Sequence, residues 1–189
     1  MIQALEALAT LSAPRPVRSL RQGHRAEQVR RARMCYDHLA GRLGVEVMSR
    51  LLERGLLEGG DGLHHPENAR HDRLSAPGHD IDYRLTAAGE EAMRGLGVDL
   101  PALHAGRRPL IRYCLDWSEQ RHHLAGSLGA AIARSLLDRA WIRRVRVSRA
   151  VQLTEAGRDG LAASLGLGFD EGGPGSDGSA APAWREPDM

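Results

Sequence analysis

The sequence predicts a mainly α fold with small β-hairpins, an α+β chain built from two tandem copies of one unit. The first observation is a repeat: His38-Leu39-Ala40-Gly41-Arg42-Leu43-Gly44 returns 85 residues later as His123-Leu124-Ala125-Gly126-Ser127-Leu128-Gly129. The second is another echo, Leu85-Thr86-Ala87-Ala88-Gly89 against Leu153-Thr154-Glu155-Ala156-Gly157, at an offset of 68. The first copy therefore carries 17 extra residues between its two signatures, and repetition at a fixed period marks duplicated supersecondary units. The third is apolar spacing at three and four residues within each copy, as in Val47, Met48, Leu51 and Leu52, which belongs to amphipathic helices.

Taken in order, residues 1–12 read as a helix, with Ile2, Leu5, Leu8 and Leu11 on one face and Pro14 and Pro16 ending it. His24 to Arg42 reads as one long helix with Val29, Ala32, Tyr36, Leu39 and Leu43 along a side. In each copy the repeated signature reads as a short helix closed by its last glycine, Gly44 in the first. A second helix, Val45 to Leu57, follows and ends at Gly55. Glu58 to Asp82 is a polar insertion with His64, His65, His71 and His79 among Asp61, Asp72, Asp80 and Asp82; it reads as a mobile loop, since its spacing matches no closed metal-ligand pattern. Tyr83 to Thr86 alternates like a strand, and Thr86 is placed to cap the helix after it.

In the second copy, Pro101 to Gly106 is a helical turn and Pro109 to Trp117 a strand. Ser118 is read as the cap of the next helix, which carries the second Leu-Ala-Gly signature. Arg134 to Ile142 is a long helix, Arg143 to Gln152 a tight basic hairpin, and Ala156 to Leu167 the closing helix. Helix, helix, strand, hairpin, strand, helix is the order of a winged helix, with a helix-turn-helix at its front. The expected organisation is an N-terminal helix and linker at 1–23, a first winged-helix-like domain at 24–100 with a long wing insertion at 58–82, a second at 101–167, and a disordered Gly/Ser/Pro-rich tail at 168–189.

Composition narrows the function classes. Hydrophobic residues make up 42% of the 189, enough for a core, but only 4% are aromatic, so Leu and Ala must do the packing. All 26 basic residues are arginine, and the net charge is +2. No apolar run approaches the roughly 18 residues of a membrane span, and Met1 to Leu11 lacks a basic leader start, so a cytoplasmic protein is expected. No nucleophile elbow, phosphate loop or metalloprotease helix is present, which argues against an enzyme.

The strings Arg33-Met34-Cys35-Tyr36-Asp37-His38-Leu39-Ala40-Gly41-Arg42-Leu43-Gly44-Val45, Cys114-Leu115-Asp116-Trp117-Ser118-Glu119 and His123-Leu124-Ala125-Gly126 resemble bacterial winged-helix transcription regulators of the ArsR type. The likeness extends over roughly residues 1–167. It implies a DNA-binding regulator, a homodimer on double-stranded DNA, with a DNA-reading winged helix ahead of the segment resembling residues 1–12. This chain starts at that segment, and helix 1–12 is the natural dimer contact. Neither copy looks built to read bases: the helix after Gly44 presents Glu46, an anion, and its counterpart presents Ala130 and Ala131. DNA contact is therefore expected from Arg30 and Arg31 on the long helix, toward phosphate, and from Arg143, Arg144, Arg146 and Arg149 on the second wing, on the backbone or in the minor groove. A solvated face is the plain alternative for these arginines. A further alternative is an effector- or protein-binding module on the same scaffold without DNA.

Cys35 and His38 are competent ligands for a soft transition metal, but one Cys and one His supply half a tetrahedral site. Cys114 with Asp116 would complete it if the copies face each other. A thiol redox pair and two buried small hydrophobes are the competing readings, no cofactor is required by the sequence, and His38 and His123 read equally well as packing residues. Asp116 is otherwise expected to pair with Arg112 or Arg121.

Overall fold

The computed structural model describes residues 19–67, 71–74 and 76–168. The helix expected at 1–12 and the tail from 169 lie outside them. The α+β class holds: helices alternate with four two-stranded antiparallel sheets. No helix among the described residues is long and apolar enough to cross a membrane.

The long helix expected at 24–42 is instead three elements. Helix α1 (Leu20–Arg31) starts where the Ser19 side chain accepts from the Gln22 amide and stops at extended Ala32. Strands β1 (Arg33–Cys35) and β2 (His38–Ala40) then form a tight hairpin. Its two turn residues are Tyr36, at φ +61°, and Asp37, the left-handed conformation such short hairpin loops demand. Arg33, Met34, His38, Leu39 and Ala40 are all buried, and burial of both strands explains why the chain prefers a hairpin here to another three turns of helix.

The repeated signature is thus a strand followed by a helix start, which corrects the short helix read over 38–44 and its partner over 123–129. Helix α2 (Gly41–Glu53) begins at Gly41, φ +73°, and Gly44 lies inside it. Gly55, φ +63°, ends it as expected. Val47, Met48 and Leu51 are buried along its inner face. Strand β3 (Leu57–Glu58) pairs with β4 (Arg84–Leu85), and the insertion lies between them. Helix α3 (Ala87–Gly95) is capped by Thr86, whose hydroxyl accepts from the Gly89 amide. A short helix, α4 (Leu100–Ala105), links the copies.

The second copy repeats the plan. Strands β5 (Arg112–Leu115) and β6 (His122–Ala125) form its first hairpin, so Ser118 lies in the connecting turn and caps no helix; its hydroxyl donates to Asp116. Helix α5 (Gly126–Asp138) replaces the helix expected at 134–142. The basic hairpin is present as β7 (Ile142–Arg144) and β8 (Val151–Leu153), and Thr154 caps α6 (Glu155–Leu165) on the Gly157 amide. Each half is therefore hairpin, helix, hairpin, helix; a strand pair stands where the first helix of a helix-turn-helix was expected.

The halves interlock. Helix α2 packs on β6 of the other copy and α5 on β2, while β2 and β6 lie side by side. A single hydrophobic cluster runs through both, with Met48, Leu51, Leu128, Leu136, Leu161 and Leu165 inaccessible to solvent at its centre. The described part of the insertion hydrogen-bonds to the second hairpin: the Gly78 amide donates to Tyr113 O at 2.7 Å, the Leu115 amide to Ala76 O at 3.3 Å and the His122 amide to Gly62 O at 2.9 Å. It covers the edges of the second hairpin.

Candidate metal centre

Cross-strand pairing sets up two Cys–His pairs. Cys35 faces His38 at the closing end of the first hairpin, and Cys114 faces His123 in the second. Residues directly opposite in an antiparallel ladder project to the same side. Because β2 and β6 adjoin, the two pairs meet. One donor atom from each of Cys35, His38, Cys114 and His123 lies within 4.8 Å of every other. The His38 and His123 rings stack with centroids 5.3 Å apart. A reciprocal glycine contact holds the arrangement: a Cβ on Gly44 would sit 3.6 Å from the His123 Cβ, and one on Gly129 3.4 Å from the His38 Cβ.

Both cysteines are free thiols. Cys114, His38 and His123 are buried, and Cys35 is half-buried. Hydrogen bonding with Cys114, and then with His123 and His38, holds the Cys35 thiol far below its ordinary range despite burial. The same pairing, joined by burial, pushes Cys114 up. Burial lowers His123 and favours the neutral ring. Each imidazole has a carboxylate on its Nδ1 side, Asp37 Oδ1 at 3.2 Å from His38 and Asp116 Oδ2 at 3.5 Å from His123. Each Nε2 is buried with no hydrogen-bond partner.

Asp116, expected as a ligand, stands one step behind. Arg33 Nη2 donates to both of its oxygens at 2.8 Å, and the amides of Gly41 and Ser118 donate at 2.7 and 2.9 Å. Its partner is therefore Arg33, not Arg112 or Arg121. Burial would raise this carboxyl; the Arg33 charge, followed by His123 and the hydrogen bonds, overcomes burial and holds it at about 2. Asp37 likewise pairs with Arg108. The fourth donor atom that the structure brings beside Cys35, His38 and Cys114 is from His123, not Asp116. The signal was in the repeat, where His123 is the counterpart of His38.

Two of the insertion's histidines pair with carboxylates, His65 with Asp61 at 2.7 Å and Glu67 at 3.4 Å, and His71 with Asp80 at 2.8 Å. Among the described residues they form no cluster of three metal donors.

The two arginine groups meet on one edge. The Met34 amide donates to Arg149 O at 2.9 Å and the Val151 amide to Ala32 O at 3.0 Å, so β8 lies against the end of α1. Arg30 and Arg31 are exposed there, as are Arg143, Arg144, Arg146 and Arg149 on the β7–β8 hairpin. Glu46 is half-buried. Burial raises its carboxyl, opposed by the charge of Arg42, so the ionised form costs the folded state. That cost is full at neutral pH, fades as pH falls through the raised folded-state value, and is gone below the unfolded carboxyl's value. Glu46→Gln should raise the melting temperature at pH 7 and leave it unchanged near pH 3, read by circular dichroism.

Fold and site together define a chain of two interlocked hairpin–helix units with a two-cysteine, two-histidine constellation between them. The chain is 32% identical over 154 residues to the uncharacterised HTH-type transcriptional regulator YdfF of Bacillus subtilis strain 168, a match covering 82% of this chain and 60% of that protein. No protein-family profile and no solved structure matches it.

Proposed function

We propose that this chain is the sensing and assembly portion of a DNA-binding transcription regulator of the winged-helix, ArsR-like type, acting as a homodimer on double-stranded DNA. The carrying observation is the arginine edge: the segment that follows exposed Arg30 and Arg31 is hydrogen-bonded to the hairpin that carries Arg143, Arg144, Arg146 and Arg149, through Met34 N to Arg149 O and Val151 N to Ala32 O. A wing of this kind contacts phosphates, which fix position and orientation on the duplex without reading sequence. The match to an HTH-type regulator supports the reading. The helix–hairpin–helix run of α2, β3–β4 and α3 keeps the order of the back half of a winged helix. The N-termini of α2 and α5 are buried between the copies, so base reading is not their task.

Six phosphate-contacting arginines give a slope of log affinity against log salt of about −5. Fluorescence anisotropy with duplex DNA across a salt series should show it. Replacing Arg143, Arg144 and Arg146 together by alanine should make the slope shallower by about 3. Folded protein with no salt-sensitive affinity for duplex would remove DNA contact from this chain. A second reading, a metal or thiol sensor, is favoured by the Cys35, His38, Cys114 and His123 constellation; it makes the junction between the copies the place where a signal enters.

A further inference from the structure

We infer that Cys35, His38, Cys114 and His123 bind one divalent ion of the zinc class, tetrahedrally, each copy contributing one cysteine and one histidine. This deepens the sensor reading by naming its ligand, and it does not depend on DNA contact.

Four observations converge. The donor set comes first: two thiolates and two imidazoles suit a borderline-soft ion and a closed four-coordinate site. Spacing comes second. Bonds of about 2.0 Å to nitrogen and 2.3 Å to sulfur separate tetrahedral donors by roughly 3.3–3.8 Å. The present donors all fall within 4.8 Å of one another, so rotamer adjustments of about 1 Å close the site.

Third, the histidines are prepared. His38 Nδ1 is hydrogen-bonded to Asp37 at 3.2 Å, His123 Nδ1 lies 3.5 Å from Asp116 without a hydrogen bond, and Nε2 of each is buried without a partner. Metal-bound imidazoles characteristically turn their second nitrogen to a carboxylate, which fixes ring orientation and tautomer. A disulfide between Cys35 and Cys114 would leave both Nε2 atoms unsatisfied, whereas an ion engages all four side chains.

Fourth, the charge balances. Any thiol proton still held leaves to solvent on binding, and two thiolates with neutral imidazoles cancel the charge of a dication. The loaded centre is neutral, as burial requires. Since Cys35 and His38 come from one hairpin and Cys114 and His123 from the other, the ion ties the two copies together.

The test uses the full chain, reduced, stripped with chelator and titrated with Co(II), then Zn(II). One equivalent of Co(II) should give the visible bands of a tetrahedral site and a near-ultraviolet thiolate-to-metal band, and one equivalent of Zn(II) should displace it. Thiol-reagent kinetics on the wild type need no variant: Cys35, the half-buried thiol, should react in stripped protein and be protected once Zn(II) is bound. Asp37→Asn should bind Zn(II) about 10–100-fold more weakly with the fold retained. No tetrahedral Co(II) spectrum, or thiol reactivity indifferent to Zn(II), overturns the site. Equal DNA affinity for loaded and stripped protein leaves the site standing and removes its sensing role.

Discussion

Arg33→Met should lower the unfolding free energy by about 3–5 kcal/mol, the cost of leaving a buried charge without its partner. Arg33 and Asp116 are 1% and 0% exposed, and two 2.8 Å hydrogen bonds join them. The guanidinium also donates to Ser118 Oγ at 3.1 Å and to Val29 O at 3.3 Å, and it stands 4.6 Å from the Trp117 ring centroid. Methionine fills much of the same volume and replaces none of these bonds. Asp116→Asn should cost a similar amount, because it strands the arginine while keeping the shape. The pair joins the hairpin of one copy to the hairpin of the other. The double variant should therefore cost clearly less than the two single losses added together, the mark of direct coupling. Guanidinium unfolding of the four proteins at pH 7 measures this. A loss below about 1 kcal/mol for either single variant would mean that the pair does not hold the halves together.

The repeat and the caps were legible in the sequence because both are local. Leu-Thr-x-Ala-Gly is a strand end, a threonine cap and a glycine that lets the preceding loop approach: a Cβ on Gly89 would lie 2.1 Å from Leu56 O, and one on Gly157 2.1 Å from Trp141 O. The basic hairpin was legible from its alternation. His38 to Gly44 was misread because a three-residue strand is too short to show period two, while Leu39 and Leu43 imitate helical spacing. Gly41 was the informative glycine, and its positive φ starts a helix instead of ending one. Cys35, His38 and Cys114 were recognised as donors, but the fourth was missed for a simple reason. The histidines are offset by 85 and the cysteines by 79, since the stretch from cysteine to histidine is six residues longer in the second hairpin. A single offset aligns Cys35 with Gln120 and conceals the pairing. The Arg33–Asp116 bond spans 83 residues, and no local pattern announces it.

Gly126→Ala should cost about 2–4 kcal/mol, whereas Gly55→Ala should cost only about 1. Both glycines have positive φ, +80° and +63°, so the conformational penalty for an L-side chain is shared. Space separates them. A Cβ on Gly55 meets nothing within 4 Å, while one on Gly126 would lie 2.6 Å from Leu110 O and 2.8 Å from the Arg112 amide nitrogen. That segment cannot retreat. No side chain caps α5, and its first turn is satisfied by the backbone of residues 109–110, Ser127 N donating to Pro109 O at 3.0 Å and Leu128 N to Leu110 O at 2.9 Å. Moving the segment to admit a methyl group would break the bonds that start the helix and shift Arg112, which is paired with Ala125 in the ladder next to Cys114 and His123. Denaturation of the two variants under one condition separates the steric term from the shared backbone term. Equal losses would show that the first turn of α5 tolerates the displacement, and the close approach at Gly126 would then be incidental to the fold.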